Sequence, residues 1–180
     1  DLLGTHYKNV KPSLETIRDK KLDQILKLKV IVFGELCEDK FIYGSSKRLS
    51  QEAPVPVFVP ECVETNLGMA GNVMENIKSI SDSEITLYSQ TEPITKTRFV
   101  DDKSNHMFLR VDEGEESITP FELTDEIIEK IKLSDIVIVS DYDKGFLTSD
   151  DIINIGRLSK LSIIDAKKKL NRQDRKSTRL

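Results

Sequence analysis

The residues best suited to chemistry gather in a few short stretches. Residues 135–145 read D-I-V-I-V-S-D-Y-D-K-G, so Ser140, Asp141, Asp143, Lys144 and the turn glycine Gly145 follow directly on a short apolar run. Asp39 lies in G-E-L-C-E-D-K-F. A carboxylate there can accept hydrogen bonds from several sugar hydroxyls, or it can be a loop acid in water. Residues 66–72, N-L-G-M-A-G-N, open a helical pattern. Small residues at such a point let backbone N–H groups approach a ligand closely, or simply admit the helix. The stretch is neither a G-x-G-x-x-G fingerprint nor a P-loop. Lys96 and Arg98 share one strand face, and Arg110 shares a face of the next strand. Such cations converge on a phosphate or form a solvated face with acidic partners. Asp165 and Lys167 fall in D-A-K-K-K, just after an apolar run. Cys37 and Cys62 read as small packing residues, because no histidine is spaced to activate them. With only His6 and His106, no zinc-type cluster can be drawn, and any metal would be Mg²⁺ carried on phosphates.

The elements that position these residues follow from periodicity. Apolar positions three and four apart predict a helix over 13–28, a second from Val73 through Ile80, and a third after Pro120 burying Ile127, Ile128 and Ile131. A fourth helix is expected over 149–158, with Ser149 as N-cap and Asp150 and Asp151 in its first turn. Strands are expected at 30–33, 41–43, 85–88, 136–139 and 161–164, with a hairpin from 95–100 and 106–111. Pro54 and Pro56 punctuate an edge-type segment in which Val55, Val57 and Val59 alternate. With residues 62–65 it predicts a small antiparallel sheet projecting from the core. The order strand, helix, strand, helix, strand towards the end is a βαβ signature, which makes neighbouring strands parallel. In such sheets ligands bind outside the carboxyl ends of the strands, where residues 140–145 fall.

The 180 residues suit one domain with appendages. A net charge of −4 gives no broad footprint for nucleic acid or anionic membrane. No apolar run reaches membrane-spanning length, and no signal peptide is evident. Two cysteines without export signals point to a reducing, cytoplasmic setting.

Taken together, G-E-L-C-E-D-K-F-I-Y-G, S-Q-E-A-P-V-P-V-F, G-M-A-G-N-V, T-K-T-R-F-V, L-R-V-D-E, S-D-Y-D-K-G-F-L-T and I-D-A-K resemble the ribokinase/PfkB carbohydrate kinases. The similarity is greatest to the heptose 7-phosphate kinase branch and runs from about Lys29 to Lys167. It implies an α/β fold: a ribokinase-like parallel-sheet core with a small antiparallel β lid, incomplete at the C-terminus. It implies phosphoryl transfer from ATP to a sugar hydroxyl with Mg²⁺. By the same resemblance Asp39, Gly68 and Asn72 hold sugar hydroxyls, and Asp141 and Lys144 line the same pocket. Lys144 and Arg98 suit a phosphate already on the sugar. Asp165 and Lys167 match a strand-end motif near the nucleotide phosphates, with Ala166 in place of its usual proline. The lid, about 41–65, would close over the sugar and support a homodimer.

The sequence also departs from that family. Glu35 stands where the branch usually has aspartate. Leu67 and Met69 flank Gly68, so one of the usual pair of sugar-site glycines is replaced. The connection from Tyr88 to Thr95 is about one strand-helix unit short. Neither the N-x-x-E element nor the G-A-G-D catalytic loop with which the family continues is found after I-D-A-K. The expected organisation is a helical extension at 1–28, a partial kinase domain at 29–166 and a basic tail at 167–180 outside the fold. The expected activity is that of an ATP-dependent sugar kinase, here without its catalytic loop. The alternative is a non-catalytic sugar-phosphate-binding or dimerisation module.

Overall fold

The computed structural model describes residues 27–168, 170 and 178–179. All but the last two residues of the helix expected at 13–28 lie outside this range. The elements are β1 (Lys29–Gly34), β2 (Leu36–Ser45), β3 (Val59–Met69), α1 (Ala70–Ile80), β4 (Glu84–Tyr88), β5 (Thr95–Asp101), β6 (Met107–Glu113), α2 (Asp125–Leu133), β7 (Ile136–Asp141), α3 (Ser149–Leu158), β8 (Ser162–Ala166) and β9 (Thr178–Arg179).

The apolar run of β1 is buried on both faces because helices cover both. Ile31 and Phe33 join Val137, Val139 and Ile164 beneath α2 and α3, where Ile131, Ile152 and Ile155 are fully buried. Val30 and Val32 face the other way, against Ala70, Val73 and Ile77 of α1. Such double burial turns a parallel strand into a continuous hydrophobic run rather than an alternating one. The resulting sheet has the order β4-β1-β7-β8-β9, with every pairing parallel. Lys167, expected outside the fold, donates its N–H to the Asp141 carbonyl at 3.2 Å, and Leu170 packs against the core.

The second sheet has the order β3-β2-β5-β6. It consists of two antiparallel pairs joined by a parallel pairing of β2 with β5. β2 leaves the core one residue after β1 ends, and β3 returns straight into α1. Side chains alternate between faces along each strand. Across the sheet, Asn66, Asp39, Lys96 and Asp112 therefore form one row, and Glu64, Phe41, Arg98 and Arg110 a second row on the same face. The opposite face carries Val63, Ile42, Phe99 and Leu109 in register.

Several boundaries differ from the sequence reading. Asp39 belongs to the middle of β2, not to a loop. A strand this polar escapes pattern recognition because one of its faces lines a charged cavity rather than a core. Residues 66–69 complete β3, so the helix starts at Ala70 without a preceding loop. Residues 54–57 are irregular, apart from an isolated Leu49–Pro56 bridge, and 54–56 are exposed. The N-cap of α3 is Thr148, not Ser149. Its hydroxyl accepts from the Asp151 N–H at 3.1 Å, while the Asp151 carboxylate accepts from the Thr148 N–H at 2.8 Å. This reciprocal capping box satisfies two helix-end donors, which Ser149 could not do from one position later.

Candidate active site

The strand order brings the carboxyl ends of β1 and β7 side by side where the chain changes direction, from β4 on one flank of β1 to β7 on the other. This is the position at which open α/β sheets bind ligands. Gly34 ends β1 against Ser140 of β7. A Cβ at Gly34 would lie 2.0 Å from the Ser140 carbonyl oxygen, so only glycine lets the strands meet here.

Glu35 follows, and its side chain is completely buried. Its carboxylate accepts from the N–H of Tyr142 at 2.8 Å and from that of Lys144 at 2.9 Å. Its carbonyl accepts from the N–H of Ala70, the first residue of α1, at 2.9 Å. One residue thus ties the polar loop after β7 to the start of α1. The sequence reading noted Glu35 only as a departure from the family pattern. An acid directly after the glycine that closes an apolar run is the sequence signal for it.

A cavity of about 380 Å³ opens between this loop and the second sheet. Asp39, Gly68, Asn72, Arg98, Lys144 and Lys167 all line it. Asp141 and Asp165 do not. The Asp141 side chain is buried, with one carboxylate oxygen 2.8 Å from Lys168 Nζ and the other without a partner among the described residues. Asp165 is exposed at the carboxyl end of β8. Lys167 has no carboxylate partner among the described residues, and its ammonium sits 5.0 Å from the centre of the Tyr142 ring. A Cβ on Gly68 would come within 2.3 Å of Asp39 Oδ2 and 2.5 Å of Cys37 Sγ, so the glycine leaves the Asp39 carboxylate its room. Met69, at the other side of Gly68, is buried with a positive φ of 54°. A side chain in that backbone region carries strain of about 1–3 kcal/mol. The thioether packs against Cys37 and Ile94 and forms part of the cavity wall.

Apart from Lys167, the cations in this cavity are held by carboxylates. Arg98 reaches Asp39 at 2.6 Å and lies 5.0 Å from the centre of the Phe41 ring. Arg110 forks onto both oxygens of Asp112 at 2.7 Å. Lys96, nearly buried, contacts Asp112 at 3.3 Å and also bonds to Glu115, whose other oxygen takes Lys144. The result is one continuous chain: Lys144, Glu115, Lys96, Asp112, Arg110. Arg98 and Arg110 stand directly opposite each other on β5 and β6. Like charges so placed repel, and Asp39 and Asp112 offset that repulsion. Hydrogen bonds from Lys144 and then Lys96 hold the Glu115 carboxyl below the usual range. Burial opposes the charge on Lys96, but its bonds to Glu115 and Asp112 outweigh that and raise its pKa. Burial, reinforced by the Asp39 charge, pushes the Cys37 thiol up to about 11, so it is an unreactive packing group. The sequence reading put Lys96 and Arg110 on strand faces but did not anticipate Glu115. Glu115 belongs to the loop after β6, and no periodicity places a loop side chain.

Similar proteins bear on this arrangement. No family model matches the chain. The bifunctional protein HldE of Rhodopseudomonas palustris strain BisB5 is 32% identical over 185 residues, covering 83% of this chain and 38% of that protein. HldE of Nitrobacter hamburgensis is also 32% identical, over 174 residues, covering 77% of this chain and 36% of its own length. The chain belongs to the PfkB-type carbohydrate kinases. Within them it falls on the heptose kinase branch and corresponds to the N-terminal part, with a parallel core sheet and a smaller second sheet. It spans less than two fifths of the length of these curated relatives. The matched span of the Rhodopseudomonas protein exceeds the length of this whole chain, so the relative carries internal residues with no counterpart here. Among solved structures, a carbohydrate kinase from Agrobacterium tumefaciens aligns at a TM-score of 0.47 with 13% identity, over 76% of this chain and 53% of that one. Arabidopsis thaliana ribokinase complexed with ribose and ATP aligns at 0.44 with 11% identity, over 79% and 55%.

Proposed function

We propose that this chain forms the sugar-phosphate wall of a kinase cleft, in which ATP phosphorylates a hydroxyl of a heptose phosphate. The observation that carries the reading is the single cavity that juxtaposes Asp39 and Asn72 with Lys96, Arg98, Arg110, Lys144 and Lys167. A carboxylate and an amide suit hydroxyl groups, and a cluster of ammonium and guanidinium groups suits a phosphate. In this reading Asp39, Asn72 and the open space at Gly68 receive the sugar ring. Arg98 and Lys144 face its phosphate. Asp141, buried and paired with Lys168, supports the loop from beneath. Asp165 and Lys167 lie on the side towards the nucleotide, with Lys167 at the border of both sites.

Among the described residues no group of three or more His, Cys, Asp or Glu could hold a metal ion. The Mg²⁺ of the proposal therefore rides on the nucleotide phosphates, where it would neutralise charge on the group transferred. What this chain contributes is position. It fixes the acceptor sugar and its phosphate, and phosphoryl transfer depends chiefly on such positioning and on electrostatic stabilisation. The proposal includes a homodimer through the small sheet. The outer members of its apolar row, Val63 and Leu109, are 53% and 56% exposed, and a second copy would cover them. No helix among the described residues is long and apolar enough to cross a membrane. A cytoplasmic setting is part of the same proposal.

Calorimetric titration of the 180-residue chain with a heptose 7-phosphate and with the unphosphorylated heptose tests the reading. The phosphorylated sugar should bind at least about tenfold more tightly, the scale of one charge-assisted hydrogen bond. Equal affinities, or no binding of either sugar, would contradict it.

A further inference from the structure

Glu115 is the one carboxylate of the cavity network that bridges two lysines, one on each of its oxygens. Lys96 comes from the second sheet and Lys144 from the loop after the core strand β7. The carboxylate thus spans the gap between the two walls of the cavity, as two oxygens of a phosphate would. It is also the acid least fixed by its backbone. Asp39 and Asp112 sit within strands, whereas Glu115 follows Gly114 in the loop leading from β6. Gly114 itself is pinned: its φ is +82°, and a Cβ there would fall 2.0 Å from the Pro93 carbonyl oxygen. The root of the loop is fixed at Pro93, and the Glu115 side chain, 22% exposed, reaches from it to two lysines that line the cavity.

We propose that the seat between Lys96 and Lys144 is the subsite for the phosphate of the bound sugar, and that Glu115 occupies it as an internal anion until the ligand displaces it. The inference rests on the sugar-phosphate reading above and adds a residue pair and a competitor to it. Lys96 is nearly buried, and with the seat empty only Asp112, at 3.3 Å and already shared with Arg110, would be left to neutralise the ammonium in a poorly hydrated place. A phosphate carries more charge and more acceptor oxygens than a carboxylate, so it can take both lysines at once. Glu115 would then swing towards solvent. The device favours phosphorylated over free sugars. A free sugar presents no anion to replace Glu115, and the carboxylate stays in the seat.

An internal competitor lowers apparent affinity by the fraction of molecules in which the seat is free. Neutralising it should therefore tighten phosphate binding. Glu115→Gln, titrated with a heptose 7-phosphate, is expected to bind at least about tenfold more tightly than the unaltered chain, while affinity for the free heptose stays within about twofold. Glu115→Ala should behave the same way and guards against a residual contact from the glutamine amide. Thermal unfolding of each variant confirms that it is folded before titration. If the unaltered chain binds the sugar phosphate but both folded variants bind it equally or less well, Glu115 is a scaffold for the lysines and the inference fails. Loss of fold in both variants would likewise make Glu115 structural and overturn it. If the unaltered chain binds no sugar phosphate, the broader sugar-phosphate reading fails with it.

Discussion

Gly34→Ala will lose most of the stability of the chain, by about 4 kcal/mol or more in urea unfolding, at the upper end of what single substitutions do. The added methyl would lie 2.0 Å from the Ser140 carbonyl oxygen and 2.8 Å from its carbonyl carbon. Both atoms are backbone of the neighbouring strand, so no rotamer change can relieve the overlap. The strands would have to part at the pair Gly34 and Ser140, in the centre of the parallel sheet. Val32, Phe33, Val137 and Val139, all fully buried, would lose their close packing with them. Gly145→Ala provides the contrast. Gly145 has a φ of +103° but nothing within 4 Å of its would-be Cβ, so its substitution should cost only backbone strain, about 1–2 kcal/mol. Similar losses for the two variants would refute the close-approach argument.

Glu35→Ala should be nearly as damaging, and in a way that reaches the site. Removal of the carboxylate leaves the N–H groups of Tyr142 and Lys144 without their acceptor. Each orphaned buried donor costs about 1–3 kcal/mol, so a loss of about 3 kcal/mol or more is expected. Glu35→Gln keeps one acceptor oxygen but turns an N–H₂ towards the other amide, and should fall between the two. Because the loop bearing Lys144 is anchored by this carboxylate, the folded fraction of Glu35→Ala should also lose its preference for phosphorylated over free sugar. Unchanged stability would mean that the loop is held by other contacts.

The core was legible in the sequence because double burial leaves an unmistakable pattern. The strands at 30–33 and 136–139 and the helix at 149–158 were all read from runs and periodicity, and they fall where expected. The second sheet was harder to read. β2 contains Glu38, Asp39 and Lys40 in succession, and in β3 no buried residue appears before Gly68. With one face on a charged cavity and the other on exposed apolar side chains, neither strand shows simple alternation of apolar and polar residues. The sequence reading placed the lid at about 41–65, whereas β2 and β3 extend to Leu36 and Met69, and β5 and β6 complete the same sheet. Among the site residues, Asp39, Gly68, Asn72, Arg98 and Lys144 come together in one cavity. Asp141 turns inward to Lys168 instead, because a strand-end side chain faces either the mouth or the interior, and spacing does not say which. Lys167, expected near the nucleotide phosphates, lines this same cavity. Glu35 and Glu115 act through long-range contacts, 107 and 29 residues apart for their bonds to Tyr142 and Lys144, and no local pattern encodes such contacts.

The central claim is that Lys144 marks the phosphate end of a sugar-phosphate pocket. Its most direct test is a pair of calorimetric titrations of Lys144→Ala, one with a heptose 7-phosphate and one with the free heptose, each compared with the unaltered chain. Loss of an ammonium that bonds a phosphate should weaken binding of the phosphorylated sugar by about 10- to 100-fold and leave the free sugar within about twofold. An equal loss for both sugars, or no loss for either, would contradict it.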